Sequence, residues 1–197
     1  MTFDQFPELI ERLTREDTRW DAILELKIIS GSGWAEQIIS YLNHPEWVVR
    51  WCLAEKLGEM KDPLAIQPLV GLLADPDGHV RKNAAKALLR FEGEAVPYMV
   101  PLFAHSMPSV RRFVLHILSQ MGASILPELE KAVFNTTDWV VANRVVDLMW
   151  RIGGNGAEAC LIRCLSSPLA QKSTVVLLGF MKSQNAPAHV ISLFKDP

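Results

Sequence analysis

A repeat of 29 to 32 residues runs through the chain and restricts the folds open to it more than any other feature. Six apolar five-residue blocks recur at this spacing, and a Val-Arg pair recurs at steps of 31 and 30 residues. A unit of this length cannot bury its own apolar face, so such repeats stack on their neighbours and share one core. The blocks begin at Ile38, Leu69, Met99, Leu129, Leu161 and Val190, and the pairs are Val49-Arg50, Val80-Arg81 and Val110-Arg111.

Each repeat has the pattern of two helices. Val49, Leu53 and Leu57 are spaced so that they fall on one helical stripe, and the apolar block closes a second helix. Breakers containing Pro, Gly or Asn separate the helices, and no alternating pattern indicates a strand, so we predict an all-α fold. The predicted units are an N-terminal helix over 3–13 and six hairpins over 14–44, 45–75, 76–105, 106–136, 137–167 and 168–197, which form one repeat domain over 1–197.

Composition and charge exclude several classes of protein. The 197 residues are 49% hydrophobic and carry 20 Lys and Arg against 22 Asp and Glu, a balance that does not favour a nucleic-acid binder. We find neither an apolar run long enough for a membrane span nor a secretory leader pattern. Three cysteines cannot form a disulfide framework. We therefore expect a cytoplasmic protein without a membrane segment.

Two segments carry a resemblance to a known family. The stretch from Asp75 to Leu89, together with the stretch from Asp62 to Leu69, resembles the HEAT-like repeat of the phycobilisome-lyase type. The resemblance implies an armadillo-type fold, a right-handed α-solenoid of HEAT-like hairpins. It also implies that one arginine in each repeat joins neighbouring units by bonding an acidic or carbonyl group in the turn between them. The matching residues are Arg50, Arg81 and Arg111, with Asp75 or Asp77 as the acidic acceptor.

The resemblance implies several functions, because the same repeat serves scaffolds, bilin lyase subunits, a hydroxylase and a DNA glycosylase branch. The hydroxylase family builds its di-iron site from His-Glu pairs, and this sequence has none. An alkylpurine DNA glycosylase relative would need a basic groove, which the charge placement argues against. We expect a non-catalytic protein–protein interaction scaffold. The alternative is a bilin-lyase-like subunit acting on a tetrapyrrole-bearing protein, with Tyr98, Cys160 and His189 as residues to test.

One column of groove-facing positions brings together residue types that bind metals or activate thiols. Stacked repeats would place Glu128, Cys160 and His189 side by side. No short motif supplies a fourth ligand, and Cys164 aligns with apolar core positions. We therefore predict no catalytic residue, no metal and no cofactor.

Exposed aromatic residues are the strongest candidates for contact with a partner protein. Trp20 and Trp51 occupy the same repeat position, away from the buried stripe, and Trp47 begins a helix. Exposed aromatic clusters favour protein docking. We predict a partner-binding patch around Trp20, Trp47 and Trp51, with Tyr98 and Glu128 as further candidates in the groove.

The C-terminal repeat does not resemble the polar cap that normally ends a solenoid. Leu177, Phe180, Val190 and Phe194 are apolar where a cap would be polar. Two expectations stay open. The chain is part of a longer array, or its C-terminal repeat packs against a partner such as a second copy.

Overall fold

A computed structural model describes residues 2–31 and 33–181 of the chain. Within these residues the regular structure is helical, and no strand occurs. None of the described helices is both long and apolar enough to cross a lipid bilayer. The α-helices are α1 (Phe6–Thr14), α2 (Arg19–Ile28), α3 (Trp34–Ile39), α4 (Trp47–Met60), α5 (Ile66–Gly71), α6 (Gly78–Leu89), α7 (Val96–Met99), α8 (Pro108–Met121), α9 (Leu126–Asn135), α10 (Trp139–Ile152), α11 (Gly154–Cys164) and α12 (Gln171–Phe180).

The chain divides into two compact units, Met1–Phe91 and Glu92–Pro197, which we call the N-terminal and C-terminal units. The division falls just after α6, inside the third predicted hairpin. The expectation of one repeat domain over 1–197 stays a prediction.

In the N-terminal unit, each helix packs against helices close to it in sequence. Helix α1 packs against α2, α4 packs against α1, α3 and α6, and α5 packs against α6. The side chains that meet between these helices include Phe6, Leu53 and Leu88, which are fully buried. The order of these contacts is that of a helical repeat, in which neighbouring hairpins share the core.

The C-terminal unit is built in the same way. Helix α9 packs against α10 and α11, and α10 also packs against α11 and α12. Leu129 of α9 and Leu161 of α11 are buried, and Phe103 and Ile117 are buried elsewhere in the same unit. The apolar blocks found in the sequence therefore supply core residues.

Several second helices of the hairpins are shorter than the sequence pattern suggests, because prolines and tight turns convert them to 3-10 helix. Helix α7 is followed directly by a 3-10 helix over Val100–Ala104. Pro101 has no N–H with which to bond the carbonyl of Pro97, so the α-helical ladder is interrupted there. Further 3-10 segments span Phe3–Gln5, Pro63–Ala65, Leu72–Ala74, Glu92–Ala95 and Gly122–Ile125.

Helices lie within the predicted ranges that the structure describes. The N-terminal helix predicted over 3–13 is a 3-10 turn followed by α1. The described residues contain the first helix of all six predicted hairpins and the second helix of five. The second helix of the sixth, with Val190 and Phe194, lies outside them. The count of six hairpins and the right-handed superhelix stay predictions.

Candidate protein-binding surfaces

The turns between hairpins are fixed by arginines at the Val-Arg positions. Arg50 and Asp75 form a buried bidentate ion pair, with Nε to Oδ2 at 2.7 Å and Nη2 to Oδ1 at 2.9 Å. The third nitrogen of Arg50, Nη1, donates to the carbonyls of His44 and Pro45 at 2.7 and 2.8 Å. Arg50 thus joins the turn before its own hairpin to the turn after it. A planar guanidinium suits this multidentate pairing.

The other two arginines repeat the carbonyl contacts of this arrangement. Arg81 and Arg111 each donate from Nη1, at 2.6 and 2.8 Å, to the carbonyls six and five residues earlier in the chain. Asp77 accepts hydrogen bonds from the backbone N–H groups of His79 and Val80 and caps helix α6. These arginines and aspartates therefore form hydrogen bonds in the turns between hairpins.

Histidine replaces aspartate in two of these turns. Asp75 Oδ1 accepts from the backbone N–H two residues later, at 2.8 Å. His44 and His105 do the same through Nδ1, each at 3.1 Å. Both histidines are therefore turn residues, with the ring nitrogen taking the place of a carboxylate oxygen.

The three tryptophans of the predicted patch differ in exposure. Trp20 is 75% exposed on α2, and Trp47 is 41% exposed at the start of α4, where its ring lies 5.4 Å from that of His79. Trp51 is only half-exposed, because it lines a small cleft with Ile23 of α2. Two of the three rings are thus exposed to solvent, and the third fills the space between α2 and α4.

Helix α2 exposes two further large apolar residues that the sequence analysis missed. Leu24 is 62% exposed and Ile28 is 78% exposed. With Trp20 they are spaced by four residues, so the three side chains follow one face of the helix. We call Trp20, Leu24 and Ile28 the α2 stripe. The composition of α2 could have indicated this exposure. Six of its ten residues are apolar, and this is more than a single buried face requires.

Tyr98 and Glu128 lie in the C-terminal unit, at or near a groove between the second helices of two hairpins. The groove has a volume of about 450 Å³ and is lined by Glu128 and by small apolar residues such as Pro101 and Ala132. Glu128 also packs its carboxyl group against Gly93. Tyr98 is exposed and follows Pro97, which lines the groove. A second groove, of about 560 Å³, lies in the N-terminal unit and is lined by Pro68, Arg50 and Asp75 among others.

The predicted juxtaposition of Glu128 and Cys160 does not occur. The carboxylate beside Cys160 belongs to Glu130, which forms a bidentate pair with Arg163 at 2.6 Å for both bonds. Arg163 Nη2 also lies 3.2 Å from the sulfur of Cys160. A shift of two residues turns a helical side chain by roughly 200°, and this separates Glu128 from the position that Glu130 holds. His189 lies outside the described residues, and within those residues no three acidic, His or Cys side chains are placed to hold a metal ion.

All three cysteines are buried. Burial raises the pKa of Cys52 and of Cys164 to about 12. Burial, reinforced by the hydrogen bond and negative charge of Glu130, also raises the pKa of Cys160 above its ordinary value. A thiol in such surroundings is a poor nucleophile.

We therefore expect iodoacetamide to leave all three cysteines of the native protein unmodified over minutes near pH 8, because little accessible thiolate is present. In concentrated urea, all three should be alkylated. Mass spectrometry of the intact protein counts the modified residues. Rapid alkylation of Cys160 in the native protein would show that this thiol is accessible and would return it to the candidate reactive residues.

The fold and these surfaces define an all-α repeat protein of the solenoid class. Residues 6–90 match the family model of HEAT repeats. Residues 6–90 are therefore identified as HEAT repeats, and the chain as a whole is similar to HEAT-like repeat proteins.

Several solved structures resemble the chain. Human deoxyhypusine hydroxylase in complex with glycerol is 16% identical, with 99% of this chain and 91% of that chain covered and a TM-score of 0.47. The complex of CpcE and CpcF of phycocyanin lyase from Nostoc sp. PCC7120 is 16% identical, with 96% and 92% covered and a TM-score of 0.37. An engineered protein is 21% identical, with 89% and 95% covered and a TM-score of 0.42. No curated protein matches the sequence.

Proposed function

We propose that this chain is a non-catalytic scaffold that binds another protein through the exposed aromatic side chains of its N-terminal unit. The observation that carries the proposal is the exposure of Trp20 and Trp47 on α2 and α4, two helices that pack against each other. Leu24 and Ile28 extend the apolar surface along α2. Clustered exposed apolar side chains of this size are typical of protein interaction sites.

The arrangement suits binding on physical grounds. Tryptophan contributes a large contact area at little conformational cost, and it is enriched among the residues that dominate interface energies. The helices that carry these side chains are already folded and packed, so little backbone ordering opposes association. Trp51 is half-buried and lines a cleft with residues of α2, so it packs between α2 and α4. Tyr98 and Glu128 stay candidate contacts in the C-terminal unit.

The bilin-lyase alternative gains no support from Cys160, one of the three residues proposed for it. Cys160 is buried and held beside Glu130 and Arg163, so its thiol is not offered to a ligand. The glycosylase alternative gains none either, because Arg163, one of the few cations on the second helices, is paired with Glu130. A cytoplasmic location and association through the C-terminal repeat stay predictions.

The test compares the proteins captured by the immobilised full chain with those captured by a Trp20→Ala/Trp47→Ala variant, using extract of the source cells and quantitative mass spectrometry. We expect the specific partner to fall by about 30-fold or more, which corresponds to the loss of roughly 2 kcal/mol at an interface hot spot. Both side chains are exposed, so the melting temperature should change little.

Trp139→Ala provides the matched control, because Trp139 also begins a helix and is 65% exposed, but lies in the C-terminal unit. It should leave capture unchanged. If the double variant captures the same proteins in the same amounts as the unmodified chain, the N-terminal unit does not bind through this face.

A further inference from the structure

The turn at Thr136 is built like the turn at Asp75. Asp75 accepts a hydrogen bond from the backbone N–H of Asp77 at 2.8 Å, and Thr136 Oγ1 accepts one from the backbone N–H of Asp138 at 3.1 Å. Asp77 and Asp138 then cap the helices that follow, α6 and α10. Thr136 therefore occupies the place of Asp75, with a hydroxyl group where Asp75 has a carboxylate.

Arg50 and Arg111 are equivalent in the same way. Each is the fourth residue of its helix, and each donates from Nη1 to two carbonyls of the preceding turn at 2.6 to 2.8 Å. Asp75 follows Arg50 by 25 residues, and Thr136 follows Arg111 by the same number. Nε and Nη2 of Arg50 donate to the carboxylate of Asp75, whereas the equivalent position beside Arg111 is a threonine.

The edge of Arg111 formed by Nε and Nη2 therefore lacks the carboxylate that fills this edge of Arg50. Within the part of the chain that the structure describes, Arg111 donates its hydrogen bonds through Nη1 and forms no ion pair. Arg111 is also half-exposed, whereas Arg50 is buried. Because a guanidinium is planar and Nη1 is held alike in both residues, Nε and Nη2 of Arg111 face the turn at Thr136.

A groove leads to this turn. The groove of about 450 Å³ in the C-terminal unit is lined by Thr136 and by Ala104, which directly precedes the turn that Arg111 holds. In the N-terminal unit, the groove of about 560 Å³ is lined by Arg50 and Asp75 themselves. A peptide lying in the C-terminal groove could therefore bring a carboxylate to Arg111.

Asp138, the acidic residue nearest in sequence to this turn, does not exclude a further carboxylate. Its counterpart Asp77 accompanies the Arg50–Asp75 pair without displacing it. The hydrogen bond to Asp75 and, to a smaller extent, the charge of Asp77 both raise the pKa of Arg50. The charge of Asp138 is also offset by the backbone N–H groups that it caps at the start of α10.

Glu128 and Lys131 are the other charged residues of the groove. The carboxyl group of Glu128 packs against Gly93, and Glu128 precedes Thr136 by eight residues, or about 12 Å along α9. Lys131 is exposed and lies between them in sequence. Glu128 is thus placed away from the turn, and its charge is partly offset by the lysine.

We infer that Arg111 binds an aspartate or glutamate side chain of a partner protein, in the way that Arg50 binds Asp75 within the chain. The carboxylate accepts hydrogen bonds from Nε and Nη2, and the groove beside Thr136 holds the adjoining residues of the partner. A guanidinium and a carboxylate match each other as a bidentate pair, and a single hydroxyl group does not. The site belongs to the C-terminal unit, so it is independent of the aromatic surface of the N-terminal unit.

Three small compounds test the inference by NMR titration of the full chain. Acetyl-aspartate methylamide carries a side-chain carboxylate, acetyl-asparagine methylamide is its neutral isostere, and acetyl-glycine carries a terminal carboxylate. The N–H signals of Arg111 Nε and of the turn at Thr136 measure each Kd. We expect the aspartate compound to bind at least about tenfold more tightly than the asparagine compound, with the difference shrinking in high salt.

Variants of the chain locate the site. Arg111→Lys removes the paired donors and should raise the Kd of the aspartate compound at least about tenfold. Thr136→Asp should raise it as much by a different route, because the chain then supplies its own carboxylate to Arg111. Arg112→Lys, at the exposed neighbouring position, is the matched control and should leave the Kd unchanged. Circular dichroism checks that each variant stays folded.

Each result has a defined consequence. Equal Kd values for the aspartate and asparagine compounds would overturn the inference, and so would tight binding of the aspartate compound to either Arg111→Lys or Thr136→Asp. Tighter binding of acetyl-glycine than of the aspartate compound would show that Arg111 prefers a terminal carboxylate, and the assignment to a side chain would be wrong. The capture experiment with Trp20→Ala/Trp47→Ala tests the scaffold function separately.

Discussion

Asp75→Ala should lower the free energy of unfolding by about 3–5 kcal/mol, because it leaves a buried guanidinium without its carboxylate. The side chains of Arg50 and Asp75 are almost fully enclosed, so water does not replace the lost partner. Nη1 of Arg50 keeps its bonds to two carbonyls, but Nε and Nη2 lose theirs. Urea denaturation followed by circular dichroism measures the change as a lower midpoint at constant slope.

Two further variants separate the burial of a charge from the loss of a contact. Asp147→Ala removes an aspartate that pairs with Arg151 at 2.8 Å on the exposed face of α10, and it should cost less than about 1 kcal/mol. Arg50→Met/Asp75→Leu removes both buried charges and should be less destabilising than Asp75→Ala alone. If Asp75→Ala costs no more than Asp147→Ala, the buried pair does not stabilise the turns between hairpins.

Gly58→Ala should destabilise the N-terminal unit by about 2 kcal/mol, although alanine is the better helix former. A Cβ at position 58 would lie 2.6 Å from the Cβ of Ala87 and 2.7 Å from its Cα. Helices α4 and α6 would have to move apart along their shared contact to relieve this overlap. The cost of overpacking should therefore exceed the gain in helix propensity, which is roughly 1 kcal/mol. The midpoint of urea denaturation again provides the measurement.

Gly71→Ala is the control, and it should change the free energy of unfolding in the opposite direction. Gly71 ends α5 with a right-handed backbone, and a Cβ there would meet no atom within 4 Å. This substitution should raise the free energy of unfolding by about 0.5–1 kcal/mol. Gly58→Ala/Ala87→Gly should recover most of the loss, because it restores the space between the helices. Stabilisation by Gly58→Ala alone would mean that α4 and α6 do not approach each other this closely.

The arginine positions show which contacts can be predicted from the sequence. The repeated Val-Arg pair, with the family resemblance, indicated residues that bond the turns between hairpins, and the structure places Arg50, Arg81 and Arg111 against carbonyls of those turns. This prediction depended only on short separations along the chain and on one contact to the next repeat. Such contacts recur with the period, so a repeated sequence reveals them.

Contacts that do not recur with the period of the repeat could not be predicted from the sequence. Lys56, in the first helix of its hairpin, would be expected at the surface because a lysine is seldom fully buried. It is instead buried, and its Nζ donates to the carbonyl of Lys27 at 2.7 Å. A long side chain can reach a neighbouring backbone through a gap that only packed helices create. The pairing of Cys160 with Glu130 in place of Glu128 has a similar origin, since it depends on the rotation of α9 about its axis.

The sequence by itself determined the type of element, the length of the repeat and the turns, because these follow from apolar spacing and from residues that start or stop a helix. The tertiary structure decided which apolar residues of α2 are covered and which face solvent. It also decided that α4 and α6 approach each other closely at Gly58 and that Cys160 is buried. These properties depend on how far each helix is turned toward its neighbours, and a linear pattern with a repeating period does not specify that rotation.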